Sequence, residues 1–185
     1  MSVSCQASTG MVIRAVAFDF GHTLVDERKD EAIPLDSRPI HLMPGVSEVL
    51  PQIPLPLDVW ANTLTATGSE IRRFLDRAGI GHFFTWVATS VDAGFRKPAP
   101  GFFAFAITQC ALAPQDVLFV GNQLNSDIAG GEQYGIRTVW LSARAYRSTD
   151  ETSFPGAVHP TYTIHTLHQL RPLLQRIHEA GGKGV

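Results

Sequence analysis

The polar residues of this chain that could do chemistry recur at one kind of place, directly after a short apolar run. Asp19 ends VIRAVAFD (Val12 to Asp19), and Asn62 and Thr63 follow LDVWA (Leu57 to Ala61). Asn122 follows the VLFVG run that starts at Val117, with Asp127 one turn later, and Lys97 precedes the helix start marked by Pro98-Ala99-Pro100. A carboxylate so placed reads as a nucleophile or metal ligand, or else as a turn or cap acid. Lys97 reads as a phosphate-binding cation or a solvated lysine. Asp127 is either an aid to a metal or an acid favoured by the dipole of a helix start, and Asn122 either a ligand or a turn residue. The functional readings require that the fold bring these groups together.

The elements that must position them follow from hydrophobic patterning. The runs at Val12–Asp19, Leu57–Ala61, Phe83–Ala88, Val117–Gly121 and Arg137–Leu141 predict strands, near-continuously apolar as in strands buried on both faces, and Thr161–Ile164 predicts a short last one. Pro44-Gly45-Val46 opens a helix through Leu50. Thr67-Gly68-Ser69-Glu70 is a capping box, with Ile71, Phe74, Leu75 and Ile80 following at helical spacing. Further helices are predicted over Phe102 to Cys110, over about Ser126 to Tyr134 with Gly135 as the stop, and along Leu167, Leu170, Leu174 and Ile177. Tyr146 to His159 reads as a loop. Strands alternating with helices predict a Rossmann-like three-layer α/β sandwich with a mostly parallel central sheet. Right-handed crossovers then make the C-terminal ends of the strands the binding edge.

The motifs in their order carry a resemblance. Asp19-Phe20-Gly21-His22-Thr23-Leu24 resembles the D-x-D-G-T-L motif of the haloacid dehalogenase-like hydrolases, and LDVWANT resembles their second motif, an apolar strand ending in Ser or Thr. Arg96-Lys97-Pro98 resembles the lysine motif, and Gly121 through Asp127 (GNQLNSD) resembles G-D-x-x-x-x-D. The resemblance covers roughly Met11 to Ile177. It implies that Asp19 attacks a phosphoryl group to form an aspartyl-phosphate, with Lys97, Thr23 and Asn62 toward phosphoryl oxygens; Thr63 could replace the hydroxyl lost at Ala61, a polar loop residue being the reading the sequence favours. It also implies Mg²⁺ held by Asp19, the backbone carbonyl of Gly21, Asn122 and Asp127. The relatives with minimal caps are the nearest match, because little more than a polar flap separates Asp19 from the second strand.

Four positions depart from that pattern. Gly21 stands where the family has its acid/base Asp, His22 where it has Gly, Ala61 where it has Ser or Thr, and Asn122 where it has the first Asp of the last motif. Losing a general acid/base typically costs ~10²–10⁴-fold in rate. His22 could substitute, its ordinary pKa of about 6.5 suiting proton transfer; occupancy of the turn alone is the reading the sequence favours. Three functions follow: a Mg²⁺-dependent phosphatase-type hydrolase, slow or unusual in substrate; a binding or scaffold domain without turnover; and a metal-independent hydrolase of carbon–halogen or similar bonds.

The remaining composition bounds these readings. A chain of 185 residues, 44% hydrophobic and 17% charged, suits one domain. Residues 11–180 are expected to form it, with a flap at about 25–40, a loose leader at 1–10 and a tail at 181–185. A net charge of −2 without a basic run offers no attraction to nucleic acid or membrane. Two cysteines without a CxxC pair suggest a reducing, cytoplasmic setting. A small or bulky phosphorylated molecule is the expected partner, and oligomeric state stays open.

Overall fold

The structure, a computed structural model, describes residues 12–27, 33–142 and 158–181. Six strands, β1 (Ala15–Phe18), β2 (Leu57–Ala61), β3 (Phe84–Thr89), β4 (Val117–Gly121), β5 (Arg137–Leu141) and β6 (Tyr162–Ile164), form one sheet in the order β3-β2-β1-β4-β5-β6. Every pairing is parallel. All residues of β1, β2 and β4 are buried, as central strands covered on both faces must be.

Alternation along β1 divides the core. Val16 and Phe18 face one layer with α1 (Val46–Val49), α2 (Gly68–Arg77) and α6 (Leu170–Gly181). Ala17 faces the other, where Trp60 and Phe119 meet Phe102 and Phe103 of α4 (Pro100–Cys110). The expected three-layer α/β sandwich is thus the observed one. The capping box forms as expected, with the Thr67 N–H donating to Glu70 Oε2 (2.8 Å), so that Ile71, Phe74 and Leu75 are carried into the core.

Several boundaries differ from the sequence expectation. β1 begins at Ala15, because the Arg14 N–H turns aside to donate to the Asp116 carbonyl. A four-residue helix, α3 (Ser90–Ala93), follows β3; the Thr89 hydroxyl caps it by accepting from the Asp92 N–H, and one turn is too short to show periodicity. The helix expected from Ser126 instead opens with a π-helical turn, Leu124–Ile128, before α5 (Ala129–Gln133). The leader, most of the Tyr146–His159 loop and residues 182–185 lie outside the described residues.

Asp58 is a buried acid inside β2, and its position has a local cause. The β2–β3 register shifts between Leu57 and Asp58, and Asp58 Oδ1 accepts the Trp86 N–H (2.9 Å) at the irregularity. Its Oδ2 accepts the Cys110 thiol (2.9 Å). Burial, the largest cause, raises the Asp58 pKa above the usual carboxylate range.

After β1 the chain turns tightly and returns through a Val25–Leu42 antiparallel bridge. The described residues between these two form no helix. Arg77 of α2 pins this excursion by donating to the Leu35 and Arg38 carbonyls.

Candidate active site

Each candidate group stands at the C-terminal edge of the sheet for a local reason. Asp19 is the first residue past β1, and its N–H still donates to the Val120 carbonyl of β4. Lys97 lies between α3 and α4, and Asn62 fixes it there. The Asn62 side chain donates to the Lys97 carbonyl (2.9 Å) and accepts the Lys97 N–H (2.8 Å), so this amide positions the lysine's backbone. Asp127 projects from the π turn after β4. The extra residue of such a turn redirects a side chain, and here Asp127 folds back over Gly121. A Cβ at Gly121 would lie 2.5 Å from the Asp127 Cβ, so the close approach requires glycine.

The three groups meet in the interior. Lys97, Asp19 and Asp127 are 4%, 7% and 1% exposed. Lys97 Nζ donates to Asp19 Oδ1 (2.7 Å) and to the Trp60 carbonyl (2.8 Å), and lies 2.8 Å from Asp127 Oδ1. An ammonium has three protons, and all three are engaged. Lys97 therefore acts first on the two carboxylates; contact with a phosphoryl oxygen requires exchanging one of these bonds.

The remaining candidates fall into two sets. Thr23, fully buried, donates from Oγ1 toward Asp19 Oδ2 (3.2 Å) and Asn122 Oδ1 (3.4 Å), tying the first motif to the last. The backbone of Asn122 is steadied by the Trp140 indole N–H, which donates to the Asn122 main-chain carbonyl (3.1 Å). Thr63, by contrast, turns its hydroxyl to the Ala66 carbonyl (2.6 Å), away from the position left by Ala61. His22 has a left-handed backbone (φ 58°), donates its N–H to the Val25 carbonyl (2.6 Å), and sets Nδ1 3.8 Å from Asp26 Oδ1. The Trp60 carbonyl and the Trp140 indole went unnoticed in the sequence, where a backbone acceptor leaves no signal and a tryptophan inside RTVWL reads as core.

Burial is the main cause of unusual electrostatics here. It pushes the Asp19 carboxyl up, the Asp127 charge pushes in the same direction, and the Lys97 ammonium only partly opposes them, leaving the pKa at about 7. For Lys97, burial acts against the charged form, but Asp127 and Asp19 outweigh it and hold the pKa above its ordinary value.

Mg²⁺ takes six oxygens, commonly one or two from protein carboxylates and the rest from water and phosphate. Among the described residues no three His, Cys, Asp or Glu side chains are grouped to hold a metal. The oxygens that do converge are Asp19 Oδ2 and Asn122 Oδ1, both within reach of the Thr23 hydroxyl. One carboxylate and one amide carbonyl, with the Asp127 carboxylate beside them, fit a weakly held cation completed by water and substrate.

A cavity of about 510 Å³ adjoins the site; its lining includes Phe20, Glu27, Asn62, Thr63 and Arg96. No helix of the described residues is long and apolar enough to cross a membrane.

Comparison with known proteins finds related sequences and similar folds. The family described as HAD-hydrolase-like matches residues 94–170. The chain is 34% identical over 101 residues to pyrimidine 5'-nucleotidase YjjG of Escherichia coli, covering 54% of this chain and 42% of that protein. It is 28% identical over 136 residues to a glyceraldehyde 3-phosphate phosphatase of Pyrococcus furiosus, covering 72% and 55%. The chain thus spans about half the length of the curated relatives it matches. Among solved structures, an uncharacterized protein of Listeria monocytogenes serotype 4b superimposes with a TM-score of 0.78 at 25% identity, over 90% of this chain and 99% of that one. The putative HAD-hydrolase YfnB of Bacillus subtilis, in a magnesium-bound crystal, has the same fold with a TM-score of 0.71 at 18% identity, over 88% and 99%.

Proposed function

This chain belongs to the haloacid dehalogenase-like superfamily, and from that premise we propose that it is a phosphatase-type hydrolase with Asp19 as nucleophile. One observation carries the reading. The buried Lys97 ammonium lies 2.7 Å from Asp19 and 2.8 Å from Asp127, at the sheet edge where an α/β fold binds ligands.

The residues divide the work as follows. Asp19 attacks the phosphorus in line with the leaving oxygen and becomes phosphorylated; water then releases inorganic phosphate and restores the carboxylate. Lys97 favours the ionised, nucleophilic form of Asp19 and offsets the charge that builds up as two anions meet. Thr23 orients Asp19, and Asn62 holds Lys97. Asp19 and Asn122, with Asp127 beside them, would hold Mg²⁺, which would supply positive charge against the phosphoryl oxygens. The names of the relatives support small phosphorylated molecules as the substrate class.

Two other readings have observations of their own. A binding domain without turnover is favoured by Gly21, Ala61 and Asn122 together with a lysine whose three protons are already engaged. Metal-independent hydrolysis is favoured by Gly21 and Asn122, which take two carboxylates out of the first and last motifs while Asp19 stays in place beside Lys97.

The test is hydrolysis of a phosphate-ester panel with and without Mg²⁺, comparing wild type with Asp19→Asn. The proposal expects Mg²⁺-dependent turnover that Asp19→Asn abolishes. Equal background rates in both proteins overturn the proposal and leave the binding domain and the carbon–halogen hydrolase, which halide release from a haloacid, measured in wild type and Asp19→Asn, then separates.

A further inference from the structure

Gly21 has no side chain to move a proton, yet the space beside it is filled. A Cβ added at Gly21 would collide with Glu27 Oε2. A carboxylate from the flap therefore occupies the place that a side chain two residues beyond Asp19 would take. Its placement is built. Arg38, only 8% exposed, donates from Nη1 to Glu27 Oε1 at 2.7 Å. Arg38 is held in turn by its Nε bond to the Ile33 carbonyl (3.0 Å) and by Arg77 of α2, which donates to the Arg38 carbonyl (3.1 Å). Glu27 also lines the 510 Å³ cavity, together with Phe20, Asn62 and Thr63.

We propose that Glu27 is the general base that activates water against the phosphorylated Asp19; this rests on the phosphatase reading above. The guanidinium on Oε1 holds the carboxylate in place with Oε2 toward Gly21. In the first half-reaction the bond from phosphorus to the leaving oxygen breaks as the Asp19–phosphorus bond forms, and the leaving group departs as an anion that solvent protonates. In the second, a water oxygen bonds to phosphorus, its proton passes to Glu27, and the Asp19–phosphorus bond breaks to release phosphate. Glu27 then returns the proton to solvent. Because nothing at position 21 protonates the leaving group, the fitting substrates are those whose leaving group is a stable anion, such as acyl or aryl phosphates.

The geometry couples the two positions. A side chain at 21 and a carboxylate at 27 compete for one volume. Gly21→Asp should displace Glu27, whereas Gly21→Asp with Glu27→Ala should place a carboxylate in the same region from the other segment.

The experiment is single-turnover kinetics with an aryl phosphate, following phosphoenzyme formation and decay separately in wild type, Glu27→Gln and the Gly21→Asp/Glu27→Ala pair. Glu27→Gln should form the phosphoenzyme at near the wild-type rate, which also reports an intact fold. Its decay should slow by ~10²-fold or more, the scale of a lost general base, and the paired variant should recover at least part of that. Decay within about threefold of wild type in Glu27→Gln overturns the assignment while leaving the phosphatase reading standing. Absence of any phosphoenzyme in wild type, with no turnover, overturns that reading and this inference with it.

Discussion

Replacing Lys97 with methionine removes the charge that allows two carboxylates to share one buried space. Asp19 and Asp127 both touch Nζ, at 2.7 and 2.8 Å, so their facing oxygens lie within ~5.5 Å of each other. At that separation, with an effective dielectric constant of about 20, their unscreened repulsion is ~3 kcal/mol. Breaking a buried ion pair by removing one partner costs about 3–5 kcal/mol, because an uncompensated charge is left behind. Lys97→Met should therefore lose about 3–5 kcal/mol at pH 8, a fall in Tm of roughly 6–20 °C for a chain of this size. The loss should shrink on acidification. Burial and Asp127 already raise the folded Asp19 pKa above its unfolded value, and without the lysine it rises further. An acid so shifted contributes stability below its unfolded pKa of about 4, and that contribution is lost as pH rises through the folded value. Urea unfolding at pH 5 and pH 8 measures both effects. A loss under 1 kcal/mol at pH 8, or an equal loss at both pH values, refutes the reasoning that Lys97 offsets the repulsion of Asp19 and Asp127.

Four further outcomes are expected. In the metal-free protein the Asp19 carboxyl should titrate near pH 7, not near 4, because burial and Asp127 favour its neutral form; the carboxyl carbon shift in NMR reads it directly. Gly121→Ala should cost about 1–3 kcal/mol by overpacking against Asp127, seen as a lower urea midpoint, and should weaken turnover through the displaced Asp127. Asn62→Ala removes both bonds to the Lys97 backbone and should cost about 1–3 kcal/mol, with activity falling more than the remaining folded fraction explains. Burial raises the folded Asp58 pKa, so its contribution falls as pH rises through that value. Asp58→Asn, which keeps an acceptor for the Trp86 N–H, should accordingly flatten the pH dependence of stability above about pH 4.

The sequence by itself determined the architecture and the place of Asp19. A parallel sheet buried on both faces needs unbroken apolar runs, and a run such as VLFVG has few alternative uses. Capping chemistry is similarly local, which is why Thr67 and Glu70 marked α2 correctly. Asp19, Asn62, Lys97, Asn122 and Asp127 were legible as a group because strand ends in such a fold converge on one edge.

Tertiary structure decided what each of them contacts. Asn62 turned out to grip the Lys97 backbone, 35 residues away in sequence, and Thr63 to close its own loop. The π turn that aims Asp127 depends on its packing against Gly121, which no periodicity announces. The carboxylate beside Gly21 comes from Glu27, whose position is set by Arg38 and, through it, by α2. Local propensities act over a few residues, whereas these placements are settled by volume and charge shared between segments far apart in the chain, and only the packed fold brings them together.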